Sequence, residues 1–583
     1  MNLQSLLQAR IQAATLALGT EATLKPDTLK PTKDARFGDY QANGAMALAK
    51  QLGKKPQDVA KELIAHLDRS GLESADVAGP GFINLRFTST FLAEQVASLA
   101  KDDRLGVPAL ARPLTYVIDY SSPNVAKPMH VGHLRSTIIG DSLTRLLRFL
   151  GHSVITDNHL GDWGTQFGIL IYGWKHFLDQ AALDKDPVAE MVRIYIHVRN
   201  LIKEEGGTDE DDEAGGQTIA EACRQETAKL HRGDPENVAL WERMMPWCQA
   251  ELDRVYHKLG ILPYNYTLGE SYYNPKLADV VAELQTKGIV EESRGALVIF
   301  HGENQPPSLV RKGDGAFTYT TTDLATIRHR VDTFHADIVL YVVDFRQSLH
   351  FQQLFRIARL WGYTALDLQH ISFGSVLGTD GKPIKTREGG AIELSALLDE
   401  AVERAQKIVD ENSPELPPDE RTQVAKAVGI GAVKYADLCQ NRSTDYVFSW
   451  DKMLAMQGNT GAYMQYAYAR IQSIFRKVGV TPASIREQNP TVLLNTPQER
   501  GLALAVLRFP EALDAAVIDY RPNCITGYLW DLANAFSSFF ENCPVAKAET
   551  PDLQRSRLFL CDITARVLQK GLDLLGIEVK EKM

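Results

Sequence analysis

Tyr116-Val-Ile-Asp-Tyr-Ser-Ser-Pro-Asn-Val-Ala-Lys-Pro-Met-His-Val-Gly-His133 is the stretch of this sequence that decides the fold. Its apolar start predicts a strand, its two prolines predict a loop, and the apolar periodicity that follows predicts a helix. His130 and His133 therefore stand at a helix start, three residues apart and on one face. Helix N-termini attract anions, and Gly132 lets a ligand approach closely. The stretch predicts a site for a nucleotide triphosphate.

The two histidines alone would favour a structural interpretation over a catalytic one. Histidines at a helix start are more often capping or packing residues, and short motifs frequently match by chance. Lys127 alone would be a solvated loop lysine. The order of strand, lysine-containing loop, His-x-Gly-His and helix is the order that a phosphate site requires, and it favours the functional interpretation.

Composition limits the class of protein. A length of 583 residues predicts three or four domains. No window of eighteen apolar residues occurs and the N-terminus lacks a secretory pattern, so neither a membrane partner nor export is expected. The six cysteines are scattered without a Cys-x-x-Cys, which predicts neither zinc nor disulfides and favours a reducing cytoplasm. A net charge of −10 argues against a general nucleic-acid binder, and no DNA partner is expected.

The chain changes character along its length. Helical patterns over Asn2–Leu18 and Pro56–Leu67 and a strand-like Gly81–Phe87 predict a small N-terminal α/β domain. Strand-like and helical runs then alternate, which predicts a parallel doubly wound sheet with ligands at the carboxyl ends of its strands. The strand-like runs are Thr115–Asp119, Val154–Thr156, Ala296–Phe300, Ile338–Val343 and His370–Phe373.

Two further segments have distinct compositions. A mostly helical insertion is predicted over about 172–260, and its acidic, glycine-rich run 204–216 is predicted to be a mobile solvated loop rather than a metal site. From about Ser395 onward the chain is predicted to be almost wholly helical.

Several segments together resemble one family. His130-Val-Gly-His133 resembles the HIGH signature of class I aminoacyl-tRNA synthetases, and Ser121–Thr137 as a whole is similar to the arginyl-tRNA synthetases. Similar segments run nearly the length of the chain: Arg36–Asn43, Asn158–Gly168, Tyr319–Asp323, Gly458–Gly461 and the C-terminal helical region. The match is specific to this family of synthetases.

The resemblance implies an architecture and a reaction. It implies a Rossmann-like catalytic core, an N-terminal α/β domain that contacts the tRNA elbow, and a C-terminal all-α anticodon-binding domain. The expected ranges are 111–395 with an insertion at 172–260, 1–110, and 396–583, respectively. The implied activity is that of an arginine–tRNA ligase: arginine is activated by ATP, with Mg²⁺, and is then transferred to the 3′ end of its tRNA. No zinc is implied.

The same resemblance implies the residues of the nucleotide site. His130, His133, Lys127 and Lys385 are the expected catalytic groups, and His130, Gly132, His133, Lys382 and Lys385 the expected ATP-binding groups. The second phosphate-binding signature departs from the family pattern, because only Lys382-Pro-Ile-Lys-Thr386 remains of KMSKS. It therefore stays open whether Lys127 or Lys385 does more to neutralise the charge of the phosphates.

For the guanidinium of arginine, carboxylates and neutral acceptors are required. The expected arginine-binding set is Asp119, Asn124, His130, Tyr319, Asp323 and Gln347. Tyr319 and Asp323 are four residues apart, so one helical turn would place them on one face. Asp323 could equally be a helix cap, because Thr321, Thr322 and Asp323 are all good N-cap residues.

Weaker candidates also have structural alternatives. His159, Asp162 and Gln166 could contact adenosine or could simply form a turn. The helix bearing Tyr463, Tyr466, Tyr468 and Arg470 could stack on anticodon bases or could be core. For the whole chain, a metabolic nucleotidyltransferase and a catalytically inactive RNA-binding paralogue are the alternatives to the ligase.

Overall fold

A computed structural model describes residues 1–20, 24–32, 34–205, 218–302, 305–378, 380–382, 384 and 392–583. The chain forms two compact units. The first unit contains residues 1–110, 455–574 and 578–583, so it is built from both ends of the chain. The second contains residues 111–454 and 575–577. Within the described part of the chain, no helix is both long and apolar enough to cross a membrane.

The N-terminal part of the first unit is a small α/β structure. Its helices are α1 (Leu3–Ala17), α2 (Gly44–Leu52), α3 (Pro56–His66) and α4 (Ser89–Ser98), and its strands are β1 (Leu29–Pro31), β2 (Tyr40–Ala42), β3 (Leu72–Ala78) and β4 (Phe82–Phe87). The strands form an antiparallel sheet in the order β1-β2-β4-β3. Alternate residues of β4 are buried, as expected for a half-buried strand. The predicted helices over 2–18 and 56–67 and the strand over 81–87 are confirmed.

The second unit alternates helices and strands. Its helices are α5 (Gly132–Leu150), α6 (Thr165–Phe177), α7 (Gln180–Lys185), α8 (Pro187–Glu204), α9 (Ile219–His231), α10 (Pro235–Leu259), α11 (Glu270–Tyr273), α12 (Leu277–Thr286), α13 (Tyr319–Asp332), α14 (Ser348–Trp361), α15 (Leu394–Asn412), α16 (Pro418–Leu438) and α17 (Trp450–Met453). Its strands are β5 (Thr115–Asp119), β6 (Ser153–Asp157), β7 (Glu291–Ser293), β8 (Ala296–Ile299), β9 (Ser308–Arg311), β10 (Ile338–Tyr341), β11 (Asp367–His370), β12 (Val376–Leu377) and β13 (Tyr446–Val447).

A parallel sheet in the order β11-β10-β5-β6 organises this unit. Strand β5 is central and buried along most of its length, which suits a continuous apolar run. Val117 of β5 and Val339 of β10 belong to one apolar core with residues of α12, α13 and α14. The parallel doubly wound, Rossmann-like core predicted from the sequence is confirmed.

Helix α5 is fixed to this core by close packing and by buried charge. A side chain at Gly140 would come within 2.2 Å of Tyr120, so only glycine permits this approach. Arg135 of α5 lies 3.0 Å from the carboxylate of Asp437 on α16, and both side chains are almost fully buried. Such a pair tolerates no loss of one partner. Helices α15 and α16 therefore pack within the second unit, beside the helix that carries the histidines.

Two strand predictions need correction. Ala296–Phe300 was expected in the parallel sheet, but β8 belongs to a separate antiparallel sheet in the order β7-β8-β9. Arg294 and Gly295 both have positive φ, which gives the tight turn that joins two antiparallel strands. The strand predicted over His370–Phe373 is displaced: β11 ends at His370, and Phe373 follows it in a loop.

The insertion and the C-terminal region are helical. Helices α7 to α10 occupy most of the predicted insertion. Residues 206–217, which include most of the acidic run predicted to be a mobile loop, lie outside the described residues. The remaining helices of the first unit are α18 (Gly461–Val478), α19 (Pro482–Glu487), α20 (Pro497–Leu507), α21 (Phe509–Ile518), α22 (Asn523–Asn542) and α23 (Pro551–Leu574). The division into three domains near residues 110 and 395 stays a prediction.

The two ends of the chain are joined inside the first unit by buried polar contacts. The guanidinium of Arg500 donates to both carboxylate oxygens of Asp39, at 2.8 Å each. The hydroxyl of Tyr40 donates to Glu511 at 2.6 Å. The side chain of Asn2 donates to Asp514 at 2.7 Å. The N-terminal sheet and the last helices thus form one folded body.

Candidate active site

The two histidines are held by the backbone at the start of α5. The backbone N–H of His130 donates to Nδ1 of His133 at 3.1 Å, and the N–H of Gly132 donates to Nδ1 of His130 at 3.0 Å. The ring centroids are 4.1 Å apart. Because both Nδ1 atoms accept hydrogen bonds, the neutral rings carry their protons on Nε2. The pair therefore offers two N–H donors to an anion.

Both imidazoles are neutral at physiological pH. Burial, the neighbouring His130 and Lys127 together lower the pKa of His133 to about 4. Desolvation, followed by the positive charges of Lys127 and Arg346, also lowers the pKa of His130. The two rings can therefore donate to phosphate oxygens without losing a proton, while a permanent positive charge must come from other residues.

Gly132 has a structural reason as well as the predicted functional one. A Cβ at this position would lie 2.7 Å from Cε1 of His130. A side chain would therefore displace the His130 ring, in addition to narrowing the space for a ligand. The glycine of the His-x-Gly-His motif is required by the histidine that precedes it.

A cavity of about 230 Å³ opens beside His130. Its lining residues come from four short segments: His130 to Gly132 and Arg135, Asp344 and Arg346, Phe373 to Val376, and Ile384 with Ile392. Nη1 of Arg135 donates to the carbonyl oxygen of Gly374 at 2.8 Å, so α5 directly supports the opposite wall. The cavity lies at the carboxyl end of the parallel sheet, where such folds bind ligands.

The predicted lysines have different surroundings. The ammonium of Lys127 lies 5.4 Å from the ring centroid of Tyr195 on α8, a cation–π contact with the insertion. Lys382 has an exposed side chain, and its carbonyl oxygen accepts from the N–H of Gly378 at 2.7 Å. Lys385 lies outside the described residues. The comparison between Lys127 and Lys385 therefore remains a prediction.

Tyr319 and Asp323 share one face of α13, as predicted. Tyr319 is the first residue of this helix and Thr318 is its N-cap, so Asp323 lies one turn inside the helix. The alternative that Asp323 caps the helix is wrong. The carboxylate of Asp323 instead accepts from Nε2 of His350 at 2.6 Å, and the His350 ring stands edge-on to Tyr319 with centroids 5.0 Å apart. His350 thus joins the two predicted residues.

Asp119 is already bound to a cation of the chain itself. One carboxylate oxygen of Asp119 accepts from Arg330 at 2.7 Å, and the other accepts from the hydroxyl of Ser122 at 2.7 Å. Arg330 is fully buried and also donates to Asp157 at 2.8 Å. Burial raises the pKa of Asp157. The carboxylate of Asp119 therefore has two partners before any substrate arrives.

Asn124 lies in the loop that follows β5, and Gln347 lies in the loop that follows β10. Asn124 forms a bridge with Gly161, and a Cβ at Gly161 would lie 2.8 Å from the side-chain oxygen of Asn124, so the glycine makes room for this amide. Gln347 ends the short 3-10 turn Phe345–Gln347 and is exposed. Asp119 is paired with Tyr341, the last residue of β10, so both loops leave the same edge of the sheet.

The weaker candidates make contacts within the protein. Nδ1 of His159 lies 3.1 Å from the carbonyl oxygen of Leu268, and the carboxylate of Asp162 accepts from the N–H and hydroxyl of Ser271. The space that Gly164 leaves is filled by the Gln166 amide. These contacts fit the turn interpretation.

The aromatic helix α18 is also largely packed. Tyr468 is buried, the hydroxyl of Tyr463 lies 3.2 Å from Ser537, and Arg470 stacks on Phe540. Tyr466 is 40% exposed. Among these residues Tyr466 is the one whose ring is most available for stacking.

Sequence reasoning missed three residues of this region, namely Arg330, Arg346 and His350. A charged residue inside the apolar pattern of α13 was a signal for Arg330, because buried arginines need a partner. For His350 the signal was Asp323 itself, because a carboxylate in the body of a helix needs a hydrogen-bond partner. Arg346 lies five residues after the end of β10, in the loop at the ligand-binding edge, which is a position that the sequence could have singled out.

Comparisons with known proteins agree over the whole chain. Residues 95–450 match the family model for the catalytic domain of class I (R) tRNA synthetases, residues 464–583 match the DALR anticodon-binding domain, and residues 1–87 match the arginyl-tRNA synthetase N-terminal domain. An arginine–tRNA ligase of Cellvibrio japonicus is 45% identical over 594 residues, with 100% of both chains covered.

Solved structures give the same result. The chain is similar to arginyl-tRNA synthetase from Plasmodium falciparum, with a TM-score of 0.83 and 27% identity over 100% of this chain and 99% of that one. It is equally similar to the Thermus thermophilus arginyl-tRNA synthetase, with a TM-score of 0.82 and 27% identity over 100% of both chains. The nucleotidyltransferase and inactive-paralogue alternatives are not favoured by these matches. The chain belongs to the arginyl-tRNA synthetases, the class I aminoacyl-tRNA ligases for arginine.

Proposed function

We propose that this arginine–tRNA ligase forms arginyl-adenylate with ATP in the cavity beside His130 and with arginine at the Tyr319–Asp323 face of α13. The observation that carries the proposal is the pair of histidines at the N-terminus of α5, whose Nδ1 atoms both accept backbone hydrogen bonds and whose Nε2 atoms therefore carry the protons. His130 lines the cavity, and the centroid of the His133 ring lies 4.1 Å from that of the His130 ring. Donors fixed before the substrate arrives cost no reorganisation during the reaction.

The first reaction is a phosphoryl-transfer step without acid–base chemistry at the α-phosphate. An oxygen of the arginine carboxylate attacks the α-phosphorus, the bond from that phosphorus to the bridging oxygen breaks, and pyrophosphate leaves with the electron pair. Catalysis then consists of positioning and of stabilising charge on phosphate oxygens. His130 and His133 donate hydrogen bonds, Gly132 keeps the space open, and Lys127, Lys382 and Lys385 supply positive charge.

Asp323 is the proposed counter-ion of the substrate guanidinium. Tyr319, Asn124 and Gln347 are proposed as neutral partners, and His130 faces both substrates. Asp119 supports this set from the end of β5, because its contacts with Ser122 and Arg330 fix the loop that begins at residue 120. A direct contact between Asp119 and the substrate remains part of the proposal.

The remaining partners follow from family membership. The second reaction transfers arginine to the 3′ end of its tRNA, and the N-terminal region (1–110) and the helical region (396–583) are proposed to contact the elbow and the anticodon. Mg²⁺ is proposed to arrive with the triphosphate, whose oxygens it prefers as ligands. Among the described residues no group of three His, Cys, Asp or Glu side chains could hold a metal ion. The proposal includes no zinc, no DNA and no membrane, and it places the enzyme in the cytoplasm.

His133→Ala tests the nucleotide site. The imidazole is proposed to stabilise charge that develops at the α-phosphate, so single-turnover adenylate formation should fall by ~10²-fold or more while ATP binding changes far less. His66→Ala is the control, because His66 is an exposed histidine at the end of α3. Unchanged adenylate formation in His133→Ala would remove the assignment.

Lys127→Ala and Lys385→Ala test which lysine compensates for the incomplete second signature. If Lys127 carries this role, its removal should lower the rate of ATP–pyrophosphate exchange at least as much as removal of Lys385. If Lys385→Ala alone is inactive, the second signature acts in the ordinary way and the compensation hypothesis is wrong. The exchange assay should be run across the standard amino acids, with and without tRNA, because a nucleotidyltransferase would not select arginine.

A further inference from the structure

The described lysines of the proposed phosphate site lie in two loops: Lys127 follows β5, and Lys382 follows β12. Lys127 is in contact with Tyr195, and the Lys382 side chain is exposed outside the residues that line the cavity. Two neutral imidazoles provide hydrogen bonds but no charge. A triphosphate carries several negative charges, so a permanent cation on the cavity wall itself would be favourable.

We propose that Arg346 is a catalytic residue of this enzyme, a cation of the cavity wall that contacts the triphosphate of ATP together with His130. The inference rests on the proposed use of the cavity for ATP and adds a residue that neither the sequence motifs nor the family signatures single out. Arg346 acts by charge and hydrogen bonding, and no proton is transferred to or from it.

The position of Arg346 is set by the sheet. It lies in the 3-10 turn Phe345–Gln347, which begins four residues after the end of β10, and it lines the same cavity as His130 and Gly132. The turn is attached to the far wall, because the N–H of Phe345 donates to the carbonyl oxygen of Phe373 at 3.1 Å. The guanidinium therefore stands on a fixed base rather than on a long loop.

The guanidinium is also oriented. Asp344 accepts from Nε of Arg346 at 2.8 Å and from Nη2 at 2.9 Å, and its carboxylate also accepts from the backbone N–H of Arg346 at 2.9 Å. This bidentate contact uses one edge of the planar group and leaves the Nη1 edge directed away from Asp344. The Arg346 side chain is 74% exposed, so that edge is accessible to a phosphate.

The charge of Arg346 already reaches the His130 ring. After desolvation and Lys127, it is the third cause that lowers the pKa of His130. A surface ion pair with no function would also show the Asp344 contact, since exposed pairs of this kind are common and weak. The chain contains such a pair for comparison: Arg254 makes a bidentate contact with Glu251 on α10 and is half exposed, and it is not among the residues that line the cavity.

Arg346→Gln in the full-length enzyme is the test, with Arg254→Gln as the matched control. Isothermal titration with ATP and with adenosine separates contacts to phosphate from contacts to the nucleoside. We expect ATP to bind about 10-fold or more weakly to Arg346→Gln, as for the loss of one charge-assisted hydrogen bond. Adenosine binding should be unchanged in both variants. Arg346→Lys should recover part of the affinity, because lysine keeps the positive charge but lacks the planar guanidinium that can bind through two N–H groups.

A second measurement reports on charge alone. In the protein without nucleotide, the NMR titration midpoint of the His130 ring should rise in Arg346→Gln, because a nearby positive charge has been removed. It should not change in Arg254→Gln. Circular dichroism checks folding, and Arg346→Met, which also removes the charge, replaces the glutamine variant in both measurements if that variant does not fold.

The outcomes separate the two proposals. If Arg346→Gln binds ATP and exchanges pyrophosphate normally while His133→Ala is defective, the Arg346 inference is overturned and the proposed site stands. If ATP and adenosine are weakened equally, Arg346 does not contact phosphate and the inference is again overturned. If His133→Ala is itself unimpaired, the proposed function of the cavity fails whatever Arg346 does.

Discussion

Two carboxylate clusters lie near the carboxyl edge of the parallel sheet, and they differ in what neutralises them. In the buried ion cluster (Asp119, Asp157 and Arg330), two carboxylates share a guanidinium that is fully buried. In the Tyr319 cluster (Tyr319, Asp323 and His350), the carboxylate is bound by an imidazole, and 24% of the Asp323 side chain is exposed. The first cluster holds a permanent internal cation, whereas the second can still accept one from outside.

This difference teaches how an arginine-binding site can be recognised. A carboxylate that already faces a guanidinium of its own chain gains little from a second one. A carboxylate oriented by an imidazole keeps its charge for the substrate, because a neutral histidine donates a hydrogen bond without cancelling that charge. This comparison favours Asp323 as the proposed counter-ion of the substrate guanidinium, and it favours a mainly structural role for Asp119.

The largest expected effect is on stability, from Arg330→Met. Removing the shared cation leaves two buried carboxylates without compensation, which costs about 3–5 kcal/mol in comparable pairs. The midpoint of urea unfolding should therefore fall sharply, with Arg359→Met on the exposed face of α14 as the control. An unfolding midpoint equal to the parent's would mean that the cluster is not what holds the end of β5 in place.

Asp323→Asn should have the largest effect on specificity. Citrulline lacks the charge of arginine, so the parent leaves a carboxylate uncompensated when it binds citrulline, whereas the asparagine variant does not. We expect the ratio of kcat/KM for arginine over citrulline in aminoacylation to fall by ~10²-fold or more. Circular dichroism serves as the folding control. A folded variant with an unchanged ratio would show that another carboxylate binds the guanidinium, and Asp119 would be the next to test.

His350→Ala should have a smaller effect, on arginine binding. Losing one hydrogen bond that orients Asp323 costs about 1 kcal/mol, which corresponds to roughly 5-fold in KM for arginine. The KM for ATP should be unchanged. His350→Gln keeps a donor and should recover most of the affinity. If alanine and glutamine variants are equally impaired, His350 contributes packing against Tyr319 rather than orientation of Asp323.

Asp119→Asn should have the smallest effect on specificity, and it is the sharpest test of the comparison. Arg330 keeps Asp157 as a partner, so the variant should fold, and the arginine-to-citrulline ratio should change by less than about 3-fold. The same aminoacylation assay measures it. A change as large as that of Asp323→Asn would reverse the roles assigned to the two clusters.

The local sequence was sufficient wherever the structure is determined by neighbours in the chain. The strand before the histidines, the loop and helix α5 could be predicted, because apolar period and proline positions act within a few residues. The run Ala296–Phe300 was correctly predicted as a strand but was assigned to the wrong sheet. Its residue pattern indicates a strand but does not specify which strand it pairs with. The positive φ of Gly295 is what selects the antiparallel neighbour.

The missed residues depend on contacts that are distant in sequence. Arg330 reaches Asp119 across 211 positions, and His350 reaches Asp323 across 27. No sequence periodicity links positions so far apart. The spacing of Asp323 from Tyr319 was enough to predict that Asp323 belongs to the site, but it did not identify His350 as its partner. The helix-cap alternative failed for a local reason. Most residues from Thr318 to Asp323 are good N-cap types, and the helix begins at Tyr319, two residues before Thr321, the first of the candidate caps.

Because the first unit is built from both ends of the chain, it cannot be completed until translation is nearly finished. Asp39 and Tyr40 are synthesised early, but their partners Arg500 and Glu511 follow only after the 344 residues of 111–454. At about 5–20 residues per second, a ribosome needs roughly 20–70 s for that interval. During that interval the N-terminal segment lacks the C-terminal helices that it packs against in the folded protein. A nascent chain that stalls late in synthesis would therefore carry a partly folded first unit at its N-terminal end.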